Sequence, residues 1–283
     1  MVRSQLSGFQ WALIQPLLPR ERGSPGRPWN DHRQTVEGVA WIMRTGAPWR
    51  DLPPEFGRWQ SVYGRFRRWC SDGTWLMITR TLLAELDERG AIDRDLWFID
   101  SSCIRASRAA AGARNMHETE PPDHALGRSR GGFGTKLHLV CDSNATPLAV
   151  VLSAGQRHDS RSFEVTMQAV RIPGRRGPDR RRPRRLGADK AYSVDWIRKW
   201  LRRRGIRAVV PTRKDQKRRH TFDALAYRAR NAIERCIGWL KEARRVATRY
   251  EKLASHFLGM ILVAIISRLI RLIERDTRGC STR

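Results

Sequence analysis

The sequence predicts an α/β protein in which a mixed sheet flanked by helices follows a small all-helical module. Two patterns support the α/β assignment. Over residues 1–90 the apolar side chains recur at helical spacing, and from residue 91 onward short apolar runs alternate with helical segments. This alternation is typical of a sheet covered by helices, and 283 residues suffice to bury a sizeable core. We therefore divide the chain into a helical module, 1–90, and an α/β domain, 91–275.

In the helical module, polar residues mark where helices begin and end. Ser7 and Gln10 form a capping-box pattern that opens a first short helix. Asp31 can cap a second helix, which Gly46 closes. A third helix carries an apolar stripe, and a fourth spans 75–86. The stripe comprises Trp59, Val62, Tyr63, Phe66 and Trp69. We interpret it as the core of a small bundle, while the Arg residues beside it leave open a helix-turn-helix-like surface that faces DNA.

The α/β domain is predicted from short apolar runs and the turn residues between them. Strands are predicted at 96–99, 133–141, 147–153, 186–188 and 206–210. Helices are predicted at 160–170, 194–204 and 223–250. Two segments without apolar periodicity are interpreted as basic insertions, 102–132 and 171–185. The second has eight Arg in fifteen residues and is predicted to be an exposed loop.

The charge of the chain indicates a polyanionic partner. Fifty-five Lys and Arg against 28 Asp and Glu give a net charge of +27, which concentrates nucleic acid. No lipidation motif favours a membrane surface instead. The five cysteines lie far apart without a Cys-x-x-Cys pair, which argues against a disulfide framework and a zinc site. The apolar run at 257–266 is too short to span a bilayer and is interpreted as a buried helix. We expect a cytoplasmic, nucleoid-associated protein.

Two carboxylates directly follow predicted strands. Asp100 comes after the run at 96–99, and Asp189 comes after the run at 186–188. In open α/β sheets, ligands gather beyond strand ends, where side chains leave the core while the backbone stays rigid. Each Asp taken alone is also explained by a turn or a helix cap. Both are therefore candidate site residues.

A third carboxylate lies in the last long predicted helix before the C-terminal one. Tyr227, Arg230, Glu234 and Lys241 stand at offsets of 0, 3, 7 and 14. At about 100° per residue they share one narrow stripe of the helix, which Arg245 extends. A solvated face with an ordinary Arg230–Glu234 ion pair is the simpler explanation. A Glu among several cations and a Tyr also suits a site that holds phosphate beside a carboxylate.

Three carboxylates suit chemistry on phosphodiesters. In-line attack at phosphorus is well served by two divalent ions about 4 Å apart. Mg²⁺ is held by a few carboxylates and keeps water and substrate oxygens as its other ligands. Two aspartates at strand ends and one helical glutamate meet that need, so the pattern predicts metal-dependent phosphodiester cleavage or transfer.

The spacing Tyr-x2-Arg-x3-Glu-x6-Lys, together with several longer segments, resembles a known family. That family is the bacterial insertion-sequence transposases with a catalytic Asp-Asp-Glu triad, in particular the insertion-sequence-five group. The likeness runs over nearly the whole chain. RTGAPWRDLPPEFG and WQSVYGRFRRW resemble its helical module, and FIDSS, GRSRGGFGTKLHL, SAGQRHDS, ADKAYS and RRVATRYEKLA resemble its catalytic core.

The resemblance implies a DNA transposase with an RNase H-like fold. It assigns the catalytic, metal-binding triad to Asp100, Asp189 and Glu234, with two Mg²⁺ or Mn²⁺ ions as cofactors. The implied substrates are double-stranded DNA, both the terminal inverted repeats and the target. Because two ends must be joined, a homodimer or higher oligomer on DNA is expected.

The same resemblance implies that Tyr227, Arg230 and Lys241 contact DNA, and Arg245 is added from its place on the stripe. Two other functions stay open: a sequence-independent nuclease on the same fold, and a non-catalytic DNA-binding regulator derived from a transposase. No motif accounts for the Arg-rich segment 171–185. Asp159 is interpreted as a helix N-cap, with a supporting place beside the triad as the alternative.

Overall fold

A computed structural model describes residues 6–20, 31–113, 120–129, 131–174, 177–216 and 222–280. Its first four helices form the helical module. They are α1 (Gly8–Ile14), α2 (His32–Thr45), α3 (Trp59–Ser71) and α4 (Thr74–Glu88). The predicted caps are confirmed. Ser7 and Gln10 form a reciprocal capping box on α1, Asp31 accepts the Arg33 N–H at the start of α2, and Gly46 ends α2 with a left-handed φ of 74°.

The aromatic stripe of α3 faces inward. Val62, Phe66 and Trp69 are buried, which confirms that the stripe forms core. Arg65 also turns inward, because its Nη1 donates to Thr35 Oγ1 at 3.1 Å. The helical module therefore uses the stripe for packing, and the exposed side of α3 carries the other arginines.

Seven strands form one mixed sheet within the described residues. They are β1 (Leu96–Ala106), β2 (Gly127–Ser129), β3 (Gly132–Asp142), β4 (Pro147–Ala154), β5 (Arg185–Gly187), β6 (Arg207–Val209) and β7 (Thr248–Arg249). The main order is β4-β3-β1-β5-β6, with β3 antiparallel to β1 and β4, and with β5 and β6 parallel to β1. Three antiparallel strands followed by two parallel ones make the predicted RNase H-like sheet. β2 extends the edge of β3, and β7 pairs with the end of β1.

Six further α-helices in the described part of the chain lie around the sheet. They are α5 (Phe163–Ala169), α6 (Asp195–Arg203), α7 (Ala224–Arg228), α8 (Asn231–Glu242), α9 (Arg244–Ala247) and α10 (Ala254–Cys280). α5 packs on β3 and β4, α6 packs on β6, and α8 crosses β1 and β3. α8, which carries candidate site residues, therefore lies directly across the central strands of the sheet.

The strand predicted at 96–99 is too short. β1 continues to Ala106 because β3 pairs with it over nine positions. Gly134 permits this pairing, since a Cβ at that position would lie 2.4 Å from the Ile104 carbonyl oxygen. Asp100 consequently lies within the strand, where burial decreases, and not after its end. The segment 102–132 is likewise not one insertion, because it supplies the end of β1 and all of β2.

The continuous helix predicted over 223–250 is wrong. The chain breaks into α7, α8, α9 and β7, with an extended backbone at Ala243 (φ −73°, ψ 108°). The break lets the end of this segment pair with β1, where Arg105 lies opposite Thr248. Tyr227 and Glu234 therefore belong to different helices, and the single stripe ends before Arg245.

The segment 171–185 is only partly an exposed loop. Ile172 is fully buried, and its backbone forms an antiparallel bridge with Arg180. Arg185 begins β5 and is held by ion pairs with Asp95 and Asp223. Backbone pairing and carboxylate partners thus fix both ends of a segment that lacks apolar periodicity.

α10 is the buried C-terminal helix that the apolar run predicted. It packs on α2, α3 and α4 as well as on β4, and one continuous core contains residues of both parts of the chain. Gly259 permits a close approach to α3, since a Cβ there would lie 2.3 Å from Cys70 Sγ. Ala254–Arg278 is long and apolar enough to cross a membrane, but 72% of its most apolar window is buried inside the protein. That burial is typical of a core helix. The division at residue 90 stays a prediction.

Candidate active site

One guanidinium joins two of the three predicted carboxylates. Arg230 Nη2 lies 2.6 Å from Asp100 Oδ2, and Arg230 Nη1 lies 2.6 Å from Glu234 Oε1. Asp100 is in the central strand β1, Arg230 stands at the start of α8, and Glu234 lies one turn further along α8. The crossing of α8 over β1 therefore brings together residues that are 130 positions apart.

The pairing of β5 with β1 brings Asp189 near Asp100. β5 runs parallel to β1, and Gly187 is the register partner of Phe98. Asp100, within β1, and Asp189, just past the end of β5, each lie two residues beyond that pair, so both side chains lie on the same side of the sheet. Asp189 also caps the following turn, because its Oδ1 accepts the Ala191 N–H at 2.9 Å. Asp189 can therefore cap this turn and still belong to the candidate site.

The pKa of Asp100 reflects its burial and the nearby charge of Asp189. Burial raises the pKa of Asp100 above its usual value, and the negative charge of Asp189 adds to the increase. The Ser101 N–H, which donates to Asp100 Oδ1 at 2.8 Å, and Arg230 act in the opposite direction. Two carboxylates thus interact electrostatically at partly buried positions, an arrangement that favours a bound cation.

Two tyrosines border the carboxylates. Burial and the nearby carboxylates, including Asp100 and Asp189, raise the pKa of the fully buried Tyr192. Burial also raises the pKa of Tyr227, whose ring contacts Phe222 at a centroid distance of 5.4 Å. Both phenols therefore remain protonated at neutral pH and can donate hydrogen bonds. Tyr227 lies near the carboxylates, as its motif position predicted.

A polar network beside Asp100 contains Asp159, for which the sequence suggested this place only as the alternative to an N-cap. Ser101 Oγ donates to Asp159 Oδ1 at 2.6 Å, and Lys136 Nζ lies 2.9 Å from the same oxygen. Asp159 is not the predicted N-cap, because His158 caps that turn through its Nδ1. Burial tends to raise the pKa of Asp159, but its bonds to Ser101 and Lys136 outweigh this effect and lower it. Asp159 therefore supports the strand that carries Asp100.

The two remaining predicted cations differ in position. Lys241 is on α8, seven residues and about 10 Å beyond Glu234 along the same helix. Arg245 is buried, its Nε lies 2.7 Å from Glu251 Oε1, and its Nη1 donates to the Ala47 carbonyl at 3.1 Å. The assignment of Arg245 to DNA binding is wrong on this geometry, because its guanidinium joins α9 to the helical module and does not face solvent.

The carboxylates offer only hard oxygen donors, which fit Mg²⁺ or Mn²⁺. Among the described residues, no three His, Cys, Asp or Glu side chains converge on one point as metal ligands. Glu234 is the outlying member, since its side chain is 59% exposed and is held by Arg230. Asp100 is thus close enough to Asp189 to interact electrostatically, whereas Glu234 is held on the solvent side by Arg230.

The fold and these residues define an RNase H-like domain with acidic side chains on β1, after β5 and on the crossing helix. Comparisons with known proteins agree. A family profile described as "Transposase DDE domain" matches residues 92–269, and one described as "Putative transposase of IS4/5 family (DUF4096)" matches residues 6–79. The chain belongs to the insertion-sequence transposases with a DDE domain.

Individual relatives carry related names. The "Insertion element IS402 uncharacterized 16.2 kDa protein" of Burkholderia cepacia is 39% identical over 117 residues, 39% of this chain and 78% of that protein. The "Putative transposase for insertion sequence element IS402" of the same organism is 35% identical over 122 residues, 43% of this chain and 56% of that protein. A solved piggyBac transposase synaptic complex with hairpin DNA aligns with 99% of this chain and 73% of its own, at 12% identity and a TM-score of 0.48.

Proposed function

We propose that this protein binds the terminal inverted repeats of an insertion sequence and catalyses metal-dependent DNA cleavage followed by strand transfer. The observation that supports this proposal is that Arg230 pairs with both Asp100 and Glu234, while the charge of Asp189 acts on Asp100. Family membership establishes a transposase, and the acidic cluster supplies the groups that phosphodiester chemistry requires.

Asp100 and Asp189 would hold the divalent ions, with Glu234 as the third carboxylate. The raised pKa of Asp100 supports this assignment, because a cation would relieve the repulsion between the two aspartates. When bound, Mg²⁺ or Mn²⁺ supplies charge stabilisation at the phosphate and an activated nucleophile. The protein contributes a rigid strand for Asp100 and a capped turn for Asp189.

Arg230 and Tyr227 would act on the DNA itself. With the charge of the carboxylates balanced, the Arg230 guanidinium would donate to a DNA phosphate. The protonated Tyr227 can donate a hydrogen bond to a neighbouring backbone oxygen. Lys241, two turns beyond Glu234 along α8, would contact a further DNA phosphate.

The proposed reaction requires two transposon ends and a target, so we infer a homodimer or larger assembly on double-stranded DNA. A sequence-independent nuclease is disfavoured because the helical module is retained. A non-catalytic regulator is disfavoured because all three carboxylates are present.

The experiment is cleavage of a labelled inverted-repeat duplex, with a gel-shift assay on the same protein preparations. Asp100→Asn, Asp189→Asn and Glu234→Gln should each reduce Mg²⁺-dependent cutting by about 10³-fold or more while DNA binding is kept. Glu242→Gln, at an exposed position of the same helix as Glu234, is the matched control and should cut normally. A folded triad variant that cuts at the wild-type rate removes that residue from the proposal. A wild-type protein that binds but never cuts supports the regulator.

A further inference from the structure

An arginine-rich cleft opens on a part of the molecule that the proposed active site does not use. It encloses about 890 Å³. It lies between the end of α5, the segment before β5 and the end of α6. Its principal lining residues are Arg171, Arg180, Arg181, Arg182, Trp200 and Arg204.

This cleft lies at the opposite ends of the elements that carry the acidic site. Asp189 follows the carboxyl end of β5, whereas Arg180, Arg181 and Arg182 precede its amino end. Arg204 follows the last residue of α6, a helix that begins six residues after Asp189 and is about 14 Å long. A ligand in the cleft is therefore separate from one held between Asp100 and Asp189.

The backbone under the cleft is held in place. Arg180 pairs with Ile172 in the antiparallel bridge, and its Nε lies 3.5 Å from Asp87 Oδ1. Arg182 Nη1 donates to the Arg204 carbonyl at 2.8 Å, which ties the segment to the end of α6. The guanidinium groups are thus presented by an ordered surface, and binding would not require the whole segment to become ordered.

The cleft is built for anions and not for bases. Five arginines line it with one acidic side chain, Asp179, which lies 3.4 Å from Arg181, and Glu164 lies 3.9 Å from Arg204. The Arg204 guanidinium covers the Trp200 ring at 3.8 Å from the ring centroid, and Trp200 Nε1 donates to Glu164 Oε1. The indole is consequently occupied on that face and is a poor platform for base stacking. Guanidinium groups match phosphate oxygens in geometry and charge.

We propose that this cleft binds the sugar-phosphate backbone of a second DNA segment, away from the phosphate that is cut. The inference rests on the proposed function, because it takes duplex DNA as the partner. An enzyme that transfers a DNA end to a target must hold two DNA segments at once. Contacts of this kind carry no sequence information, and each releases counterions when it forms.

The test measures how DNA affinity depends on salt for the full chain and a random-sequence duplex, with the metal chelated so that no cutting occurs. Arg171→Ala with Arg181→Ala removes two exposed charges from the cleft. The slope of log affinity against log salt should become shallower by about 1.8, since each lost phosphate contact changes it by about 0.9. Arg271→Ala with Arg275→Ala, on the exposed side of α10, is the matched control and should change the slope by less than half as much.

An unchanged slope in the cleft variant, or an equal change in the control, overturns the proposal. Inorganic pyrophosphate serves as a second probe: weaker pyrophosphate binding with an unchanged DNA slope would make the cleft a small-anion site and also overturn it. Circular dichroism verifies that both variants fold. Failure of the proposed function would appear as a loss of Asp100-dependent cutting, which this binding measurement does not use.

Discussion

Arg230 and Asp100 form an ion pair with 2.6 Å between Nη2 and Oδ2, and this pair fastens the start of α8 to the middle of β1. The same guanidinium holds Glu234, so one cation balances two carboxylates. Because α8 carries Glu234, the pair also sets how far that carboxylate stands from the aspartates. Arg230 therefore acts first as a structural counterion of the acidic site, before any role toward DNA.

Substitution of Arg230 should reveal both roles. Arg230→Ala is expected to weaken inverted-repeat binding by about tenfold, through a lost charged hydrogen bond to phosphate, and to slow cutting as well. It should also raise the pKa of Asp100, which Arg230 now lowers. In a double-mutant cycle of unfolding free energies with Asp100→Asn, we expect a coupling of about 1–3 kcal/mol. Additive effects would show that the pair contributes nothing to the fold.

Asp159 should act through the strand that carries Asp100. Asp159→Asn keeps the shape but weakens the bonds from Ser101 Oγ and Lys136 Nζ. We expect cutting to slow by about 10–100-fold and the Mg²⁺ concentration for half-maximal activity to rise, since supporting residues typically have effects of this size on metal sites. Lys136→Gln should give a similar but smaller change. An unchanged metal requirement would limit Asp159 to a role in stability.

Arg245 should matter for stability and not for DNA contact. Arg245→Met leaves Glu251 buried without its partner and is expected to lower the free energy of unfolding by about 3–5 kcal/mol. Its exposed neighbour Arg244 provides the control, and Arg244→Ala should change stability little. Thermal denaturation measures the change in stability, and a gel shift at a temperature where both variants are folded measures DNA binding. Weaker DNA binding by folded Arg245→Met would contradict the prediction and show that Arg245 contributes to DNA binding.

His138 predicts a loss of stability in mild acid. Burial lowers the pKa of His138 to about 4, with Asp159 opposing the change and Lys136 and Arg157 reinforcing it. The unfolded chain takes up the proton near pH 6.5, but the folded protein resists it until pH 4. The free energy of unfolding should therefore fall by up to about 3 kcal/mol as pH decreases from 6.5 to 4. Urea denaturation across this range should show a weaker pH dependence for His138→Gln, and parallel curves would contradict the prediction.

The sequence by itself determined the local features of this protein. The caps at Ser7, Asp31 and Gly46 depend on hydrogen bonds between residues a few positions apart, so a short stretch of sequence suffices to predict them. The aromatic stripe of α3 and the apolar run of α10 report burial through their periodicity. The spacing from Tyr227 to Lys241 indicated the resemblance to the transposase family, and that resemblance assigned the roles of the acidic residues.

Tertiary structure decided what depends on distant partners. The length of β1 follows from its pairing with β3, and the break after α8 follows from the pairing of β7 with β1. Arg245 belongs to the core because Glu251 and the helical module surround it, although helical spacing alone aligns it with Glu234. Asp159 joins the site through contacts with Ser101 and Lys136 that no local pattern encodes. A charged side chain has the same sequence signature whether it is solvated or paired, and only the fold brings its partner within reach.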